Sequence, residues 1–132
     1  MVKNAESDGA VFTAANDSRV TAFGEFMRKT RMDEFPQFIN ILKGDMAVIG
    51  PRPERPIFVK EIAEIMPFYE TRHIIKPGLT GWAQVNYSYG ETIDDSLIKL
   101  QYDLYYIKHR SIYLDMNIAF KTITTILFYR GQ

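Results

Sequence analysis

The sequence predicts an α+β fold: a mainly helical single domain with a few short strands and amphipathic C-terminal helices. Phe35, Phe38, Ile39 and Leu42 recur at helical spacing, and the pattern returns after Thr92 with Leu97, Leu100, Leu104 and Ile107. Short apolar runs lie between these stretches, such as Met46-Ala47-Val48-Ile49, bounded by glycine and proline. The chain has 132 residues, of which 46% are apolar, enough for one domain with a modest core.

Residues 1–17 are small and polar (Asn4, Ser7, Gly9, Asn16), an irregular lead with little to bury. Val20 to Met27 form a short apolar approach to the basic cluster Arg28-Lys29-Thr30-Arg31. A helix then begins near Asp33. Pro36 suits its first turn, where backbone N–H groups have no intrahelical acceptor, and Gly44 stops it after Lys43. Phe58, Ile62 and Ile65 predict a helix from Pro56 to Ile65, ended by Pro67. Ile74-Ile75, a Pro77-Gly78 turn and Trp82-Ala83-Gln84-Val85 read as extended chain around a tight turn, with Gly78 supplying the positive φ of a type II turn. Trp82 is expected to anchor a core or an interface rather than to stack on a base. From Thr92 to Arg110 a helix is well signalled. Thr92 caps it, Asp94 and Asp95 fill the first turn, and Lys108, His109 and Arg110 close the last.

The segment Ser111 to Arg130 is rich in Ile, Leu, Phe and Met, but Asp115, Asn117 and Lys121 interrupt it, which argues against a transmembrane span. Such a helix either packs under the domain or lies in a membrane interface, since both bury the same side chains. Sixteen basic and sixteen acidic residues cancel, so no global field recruits nucleic acid or acidic lipid. The absence of cysteine excludes disulfides and thiolate metal sites, and His73 and His109 are too few and too far apart for a zinc constellation.

Chemistry concentrates at Arg28-Lys29-Thr30-Arg31-Met32-Asp33-Glu34. Adjacent carboxylates at the positive end of a helix dipole, beside guanidinium groups, are favoured in their ionised form. Such an anionic oxygen among phosphate-gripping donors suits nucleophilic attack on a phosphoryl group. The plainer use of the same residues is helix capping and a solvated basic face. Arg52, between Pro51 and Pro53, sits on a stiff mount suited to bidentate phosphate recognition; its plainer use is a rigid turn with an arginine paired to a carboxylate.

Four segments together resemble one family. They are Arg28 to Gln37, Asn40-Ile41-Leu42-Lys43-Gly44-Asp45-Met46, Gly50-Pro51-Arg52-Pro53, and Lys76-Pro77-Gly78-Leu79-Thr80-Gly81-Trp82-Ala83-Gln84-Val85-Asn86. From about residue 17 to the C-terminus the chain resembles the catalytic part of the bacterial sugar transferases, the monotopic phosphoglycosyl transferases of exopolysaccharide and O-antigen synthesis. The resemblance implies transfer of a sugar phosphate from a UDP-sugar to undecaprenyl phosphate, with UMP released, at the cytoplasmic face of the bacterial inner membrane. It implies that Asp33 is the nucleophile of a covalent phosphosugar intermediate, with Glu34 its partner, and that Arg28, Arg31 and Arg52 lie at the phosphates. It further implies a Mg²⁺ cofactor at Asp33 and Glu34, and contact with a membrane surface.

Two departures bear on these expectations. Met1-Val2-Lys3-Asn4-Ala5-Glu6 resembles the residues just after the family's Lys-Phe-Arg-Ser-Met stretch. Residues 1–132 are therefore expected to be a catalytic domain truncated at its N-terminus, inactive alone and able to self-associate into a homo-oligomer through apolar surface. Many members also carry Asn-Gly-Arg-Asn after the Trp-Ala-Gln motif, where this chain has Asn86-Tyr87-Ser88-Tyr89-Gly90. With no arginine at Ser88, Arg72 or Arg55 is left as the phosphate-binding replacement. The competing reading from another class is a non-catalytic protein- or membrane-docking module of a polysaccharide assembly system. A two-metal phosphohydrolase is weaker, because such sites gather more Asp and His.

Overall fold

Two helix boundaries are set by single residues that the sequence marks clearly. Gly44 takes a left-handed conformation (φ +84°) at the end of α2 (Phe35–Lys43), and its N–H returns to the carbonyls of Asn40 and Ile41. Thr92 caps α5 (Ile93–His109) in a reciprocal box: its hydroxyl accepts the Asp95 N–H while the Asp95 carboxylate accepts the Thr92 N–H. The computed structural model describes residues 19–29, 32–87 and 92–128. Along the chain run α1 (Ala22–Lys29), a 3₁₀ turn (Met32–Glu34), α2, β1 (Ala47–Ile49), α3 (Pro56–Ile65), a second 3₁₀ turn (Tyr69–Ile74), β2 (Gly78–Thr80), α4 (Trp82–Asn86), α5 and α6 (Ile112–Phe128). The fold is mainly helical with a small parallel sheet, as the α+β expectation required.

The sheet pairs Ala47 with Gly78 and Ile49 with Thr80. Chain enters it from α2 through the Asn40 carbonyl, which accepts the N–H groups of both Asp45 and Met46, while the Met46 side chain is buried. The Asn40-to-Met46 segment is thus a helix stop and an anchor in one. Where β2 and the residues after it pass Gly50, backbone approaches backbone very closely. A Cβ on Gly78 would lie 2.1 Å from the Gly50 nitrogen, and one on Gly81 would lie 2.1 Å from the Gly50 oxygen. Both distances are far inside contact, so glycine is required at these points.

This corrects the reading of residues 74–85. Gly78 is a strand residue, and Gly44 is the positive-φ glycine among the described residues, so no type II turn is built on Gly78. Trp82–Asn86 is a short helix rather than extended chain. Its aromatic and β-branched residues suggested a strand, but tertiary packing overrides propensity. The Trp82 ring stacks on Tyr105 of α5 (centroids 6.1 Å apart) and carries the Lys121 Nζ of α6 at 4.8 Å. Lys121 also donates to Asn86 Oδ1 at 2.6 Å, clamping α4 onto α6.

The interior has two apolar parts. Phe58, Ile62, Met66, Tyr69 and Leu100 form one, between α3, the second 3₁₀ turn and α5. Tyr106, Leu114 and Ile118 form the other, with Ile49, Ile75, Trp82 and Val85 packed against it. The Tyr106 hydroxyl donates to Asp115 at 2.7 Å across the α5–α6 corner, and burial together with that carboxylate pushes the phenol up to about 12. Thr80 donates its hydroxyl to Thr122, whose own hydroxyl bonds the Ile118 carbonyl, seating α6 on the sheet. The expected α5 stripe is only partly right. Leu100 is buried and Leu104 packs beside it, but Leu97 is exposed, and the residues fully inside are Asp103 and Tyr106. Among the described residues no helix is long and apolar enough to cross a membrane. Phe35, Phe38, Ile39 and Leu42 of α2 are all exposed, as are Met116, Phe120 and Ile123 of α6.

The glycine approach yields the first expectation: Gly78→Ala should destabilise the protein by about 3 kcal/mol, the upper end of the usual cost of overpacking, because the atoms it meets are backbone and cannot swing aside. Denaturant unfolding checks this, and wild-type stability in Gly78→Ala would mean the close approach is not obligatory.

Candidate active site

The acidic pair is presented by the 3₁₀ turn that leads into α2. Pro36 occupies the first turn of that helix, where a missing N–H costs nothing, so the chain can tighten just before it. Glu34 is the N-cap residue but makes no side-chain cap bond, so its carboxylate is not consumed by capping. Asp33 is exposed and Glu34 is half-buried. Both lie in the positive field of the helix start.

Arg52 reaches this turn from the loop after β1. Its Nη1 stands 3.6 Å from Glu34 Oε1, an ion pair longer than a direct hydrogen bond, with the guanidinium side 48% exposed and the carboxylate side 18%. The loop is held by the sheet. Gly50 donates its N–H to the Thr80 carbonyl and Gly78 donates to the Pro51 carbonyl, each at 2.8 Å. Pro51 itself is buried. An arginine in this mount has little backbone freedom left, since proline restricts the chain on both sides.

The other expected residues divide. Arg28 is exposed on the last turn of α1, a helix that packs on the acidic 3₁₀ turn. Arg31 lies outside the described residues, as does Ser88. Arg72 differs from what was expected of it. It is 4% exposed and donates from Nη1 to the Tyr69 hydroxyl at 2.6 Å and from Nη2 to the Arg52 carbonyl at 2.8 Å. Nη2 also lies 2.8 Å from Asp103 Oδ2. Arg72 is therefore turned inward and is not presented to a phosphate. Of the two arginines expected as a phosphate-binding replacement, Arg72 has its guanidinium enclosed by Tyr69 and Asp103, themselves 2% and 1% exposed, while Arg55 is exposed with its guanidinium over the Phe58 ring.

Asp103 is not marked by the leucine periodicity of α5, which points to Leu97, Leu100 and Leu104. The signal was there: a carboxylate three residues after Leu100 and three before Tyr106 falls on the buried face of α5. Burial pushes the Asp103 carboxyl up to about 6, with the Arg72 guanidinium pulling the other way. Burial likewise raises the Tyr69 phenol against the pull of Arg72.

Two adjacent carboxylates beside an arginine fit a magnesium ion that keeps water and substrate phosphate as its remaining ligands. They do not make an all-protein cage, and among the described residues no group of three or more His, Cys, Asp or Glu is placed to hold a metal. The open cleft of about 670 Å³ lined by Glu54, Val59, Lys60, Glu70 and His73 includes none of the expected site residues.

The family described as bacterial sugar transferase matches residues 1–129. An N-acetylgalactosaminephosphotransferase acting between UDP-N-acetylgalactosamine and undecaprenyl phosphate, from Aeromonas hydrophila, is 53% identical over 127 residues, covering 96% of this chain and 30% of the relative. A UDP-glucose:undecaprenyl-phosphate glucose-1-phosphate transferase of Escherichia coli (strain K12) is 43% identical over 92% of this chain and 27% of its own length. An undecaprenyl-phosphate galactose phosphotransferase of Salmonella typhimurium is 38% identical over 88% of this chain and 23% of its own length. The chain thus spans under a third of the length of the relatives it matches.

The buried pair sets a stability expectation. Asp103→Ala leaves the Arg72 charge enclosed and uncompensated and should cost about 3–5 kcal/mol. Urea unfolding at neutral pH measures it, and a loss under about 1 kcal/mol would mean that water reaches Arg72 in the folded protein.

Proposed function

Because the chain belongs to the bacterial sugar transferase family, we propose that it supplies the catalytic carboxylates for transferring a sugar phosphate from a UDP-sugar to undecaprenyl phosphate. The observation that carries the proposal is the meeting of Arg52 with the Asp33–Glu34 turn, which sets a guanidinium on a rigid mount beside an exposed Asp33 and a half-buried Glu34. The relatives' names carry different sugars, so the reading is one of reaction class: a UDP-sugar donor and a polyprenyl phosphate acceptor.

In this reading an Asp33 carboxylate oxygen attacks the sugar-bearing phosphorus of the donor. A bond from Asp33 to that phosphorus forms, the bridge to the second phosphorus breaks, and UMP leaves with the bridging oxygen. An oxygen of undecaprenyl phosphate then attacks the same phosphorus and returns Asp33 to a free carboxylate. Splitting the transfer this way lets a fixed nucleophile replace direct encounter of two phosphate esters. Arg52 and Arg28 meet the charge on the phosphate oxygens, the chief requirement of phosphoryl transfer. Glu34, held against Arg52, keeps the turn and the guanidinium in one frame. Magnesium, held by Asp33 and Glu34, would add neutralisation of the diphosphate.

A lipid acceptor extends the reading to a membrane surface at the cytoplasmic face of the inner membrane. The unburied apolar residues of α2, which follows directly on the acidic turn, support contact with such a surface.

Asp33→Asn should abolish UMP release while leaving the fold unchanged, and incubation with the UDP-sugar alone should add one sugar-phosphate mass to the peptide containing Asp33. Normal turnover in Asp33→Asn would remove the assignment. Arg52→Lys should lose roughly 10- to 100-fold in kcat/KM although charge is kept, because an ammonium cannot reproduce the planar fork. Equal activity of the lysine variant would make Arg52 a turn residue only.

A further inference from the structure

We propose that Arg72, secured by Asp103 and Tyr69, is a positioning residue that sets where the Arg52 guanidinium stands against the Asp33–Glu34 turn. The proposal rests on the preceding reading for what Arg52 does; the geometry is independent of it. Arg72 lies twenty residues from Arg52 in sequence, yet its Nη2 bonds the Arg52 carbonyl at 2.8 Å. The neighbouring Pro51 carbonyl is held at the same distance by Gly78 N–H. The carbonyls on either side of the Arg52 Cα are therefore fixed, one by a strand backbone and one by a buried side chain. From that mount the Arg52 side chain runs outward to Glu34.

Enclosing two opposite charges is a poor way to gain stability alone, because the desolvation of each ion costs several kcal/mol and apolar residues of the same volume serve as well. A buried guanidinium does provide what an apolar residue cannot, a directed donor onto one carbonyl. Asp103 balances the charge of Arg72 from 2.8 Å, and the Tyr69 hydroxyl accepts from Nη1 at 2.6 Å as a second anchor for the guanidinium. The Tyr69 ring also lies 5.1 Å from the guanidinium carbon. Tyr69 comes from the second 3₁₀ turn and Asp103 from α5, so the position of Arg52 is referred to the same core that Phe58, Ile62 and Leu100 build.

Two variants probe this without emptying the core. Asp103→Asn keeps the volume and removes the charge; Tyr69→Phe removes one hydroxyl. Each should lower kcat/KM by about 10- to 100-fold in the intact enzyme, the scale on which displaced supporting groups act. The same changes should have little further effect in an Arg52→Ala background. Losses of equal size in both backgrounds would overturn the proposal, since they would mean the cluster does not act through Arg52. An activity-independent readout is the side-chain Nε–Hε resonance of Arg52, identified by its disappearance in Arg52→Lys. It should shift or broaden in Asp103→Asn and in Tyr69→Phe while circular dichroism stays native. An unmoved Arg52 resonance in a folded variant overturns the inference whatever the rates. Should wild type release no UMP, the functional reading fails and the resonance still decides the positioning; should Asp103→Asn not fold, Tyr69→Phe carries both measurements.

Discussion

Between Gly50 on one side and Gly78 with Gly81 on the other, backbone meets backbone with no room for a side chain. That constraint organises the molecule. It lets the two short strands pair in the register Ala47 to Gly78, and it brings the Pro51 carbonyl within reach of the Gly78 N–H. The loop carrying Arg52 leaves the sheet from this point, and Thr80 at the other end of the pairing receives α6 through Thr122. Two of the four sequence segments that mark the family are thus the two halves of one contact. Their glycines serve steric closeness rather than turn formation.

The interior on which this contact rests is of mixed character. Around α3 and α5 it is ordinary apolar packing, and close to it lies an ion pair so enclosed that its two partners are 4% and 1% exposed. The apolar part supplies most of the cohesion, as burial of hydrocarbon does in any small domain. The ionic part supplies direction. It joins α5 and the second 3₁₀ turn to the backbone of the Arg52 loop, an attachment that non-directional packing cannot make.

α6 shows how one helix answers two expectations. Leu114 and Ile118, four residues apart, lie in the core, so the helix packs under the domain along one stripe. Met116, Phe120 and Ile123 lie off that stripe and remain exposed, as does the apolar row of α2. The aromatic and aliphatic content that made the segment look membrane-facing is therefore distributed between a buried stripe and an open one. The proposed lipid acceptor gives the exposed part a use, and the acidic turn sits at the start of the exposed α2 row.

What the sequence determined by itself is local. Gly44, Pro56, Thr92 and Asp95 place helix ends through backbone conformation and capping, which depend on neighbours a few residues away, and the structure agrees at each. The acidic pair, the basic approach and the arginine between prolines were legible for the same reason: they are short segments whose residue types carry the chemistry. Only the tertiary structure decided what is non-local. It made Trp82–Asn86 a helix, because contacts with Tyr105 and Lys121 outweigh a weak strand preference. It turned Arg72 inward to Asp103, a pairing between residues far apart in the chain that no periodicity reveals. It brought Arg52 to Glu34, because the distance between two charges is set by how the sheet and the helices pack and not by their spacing along the sequence.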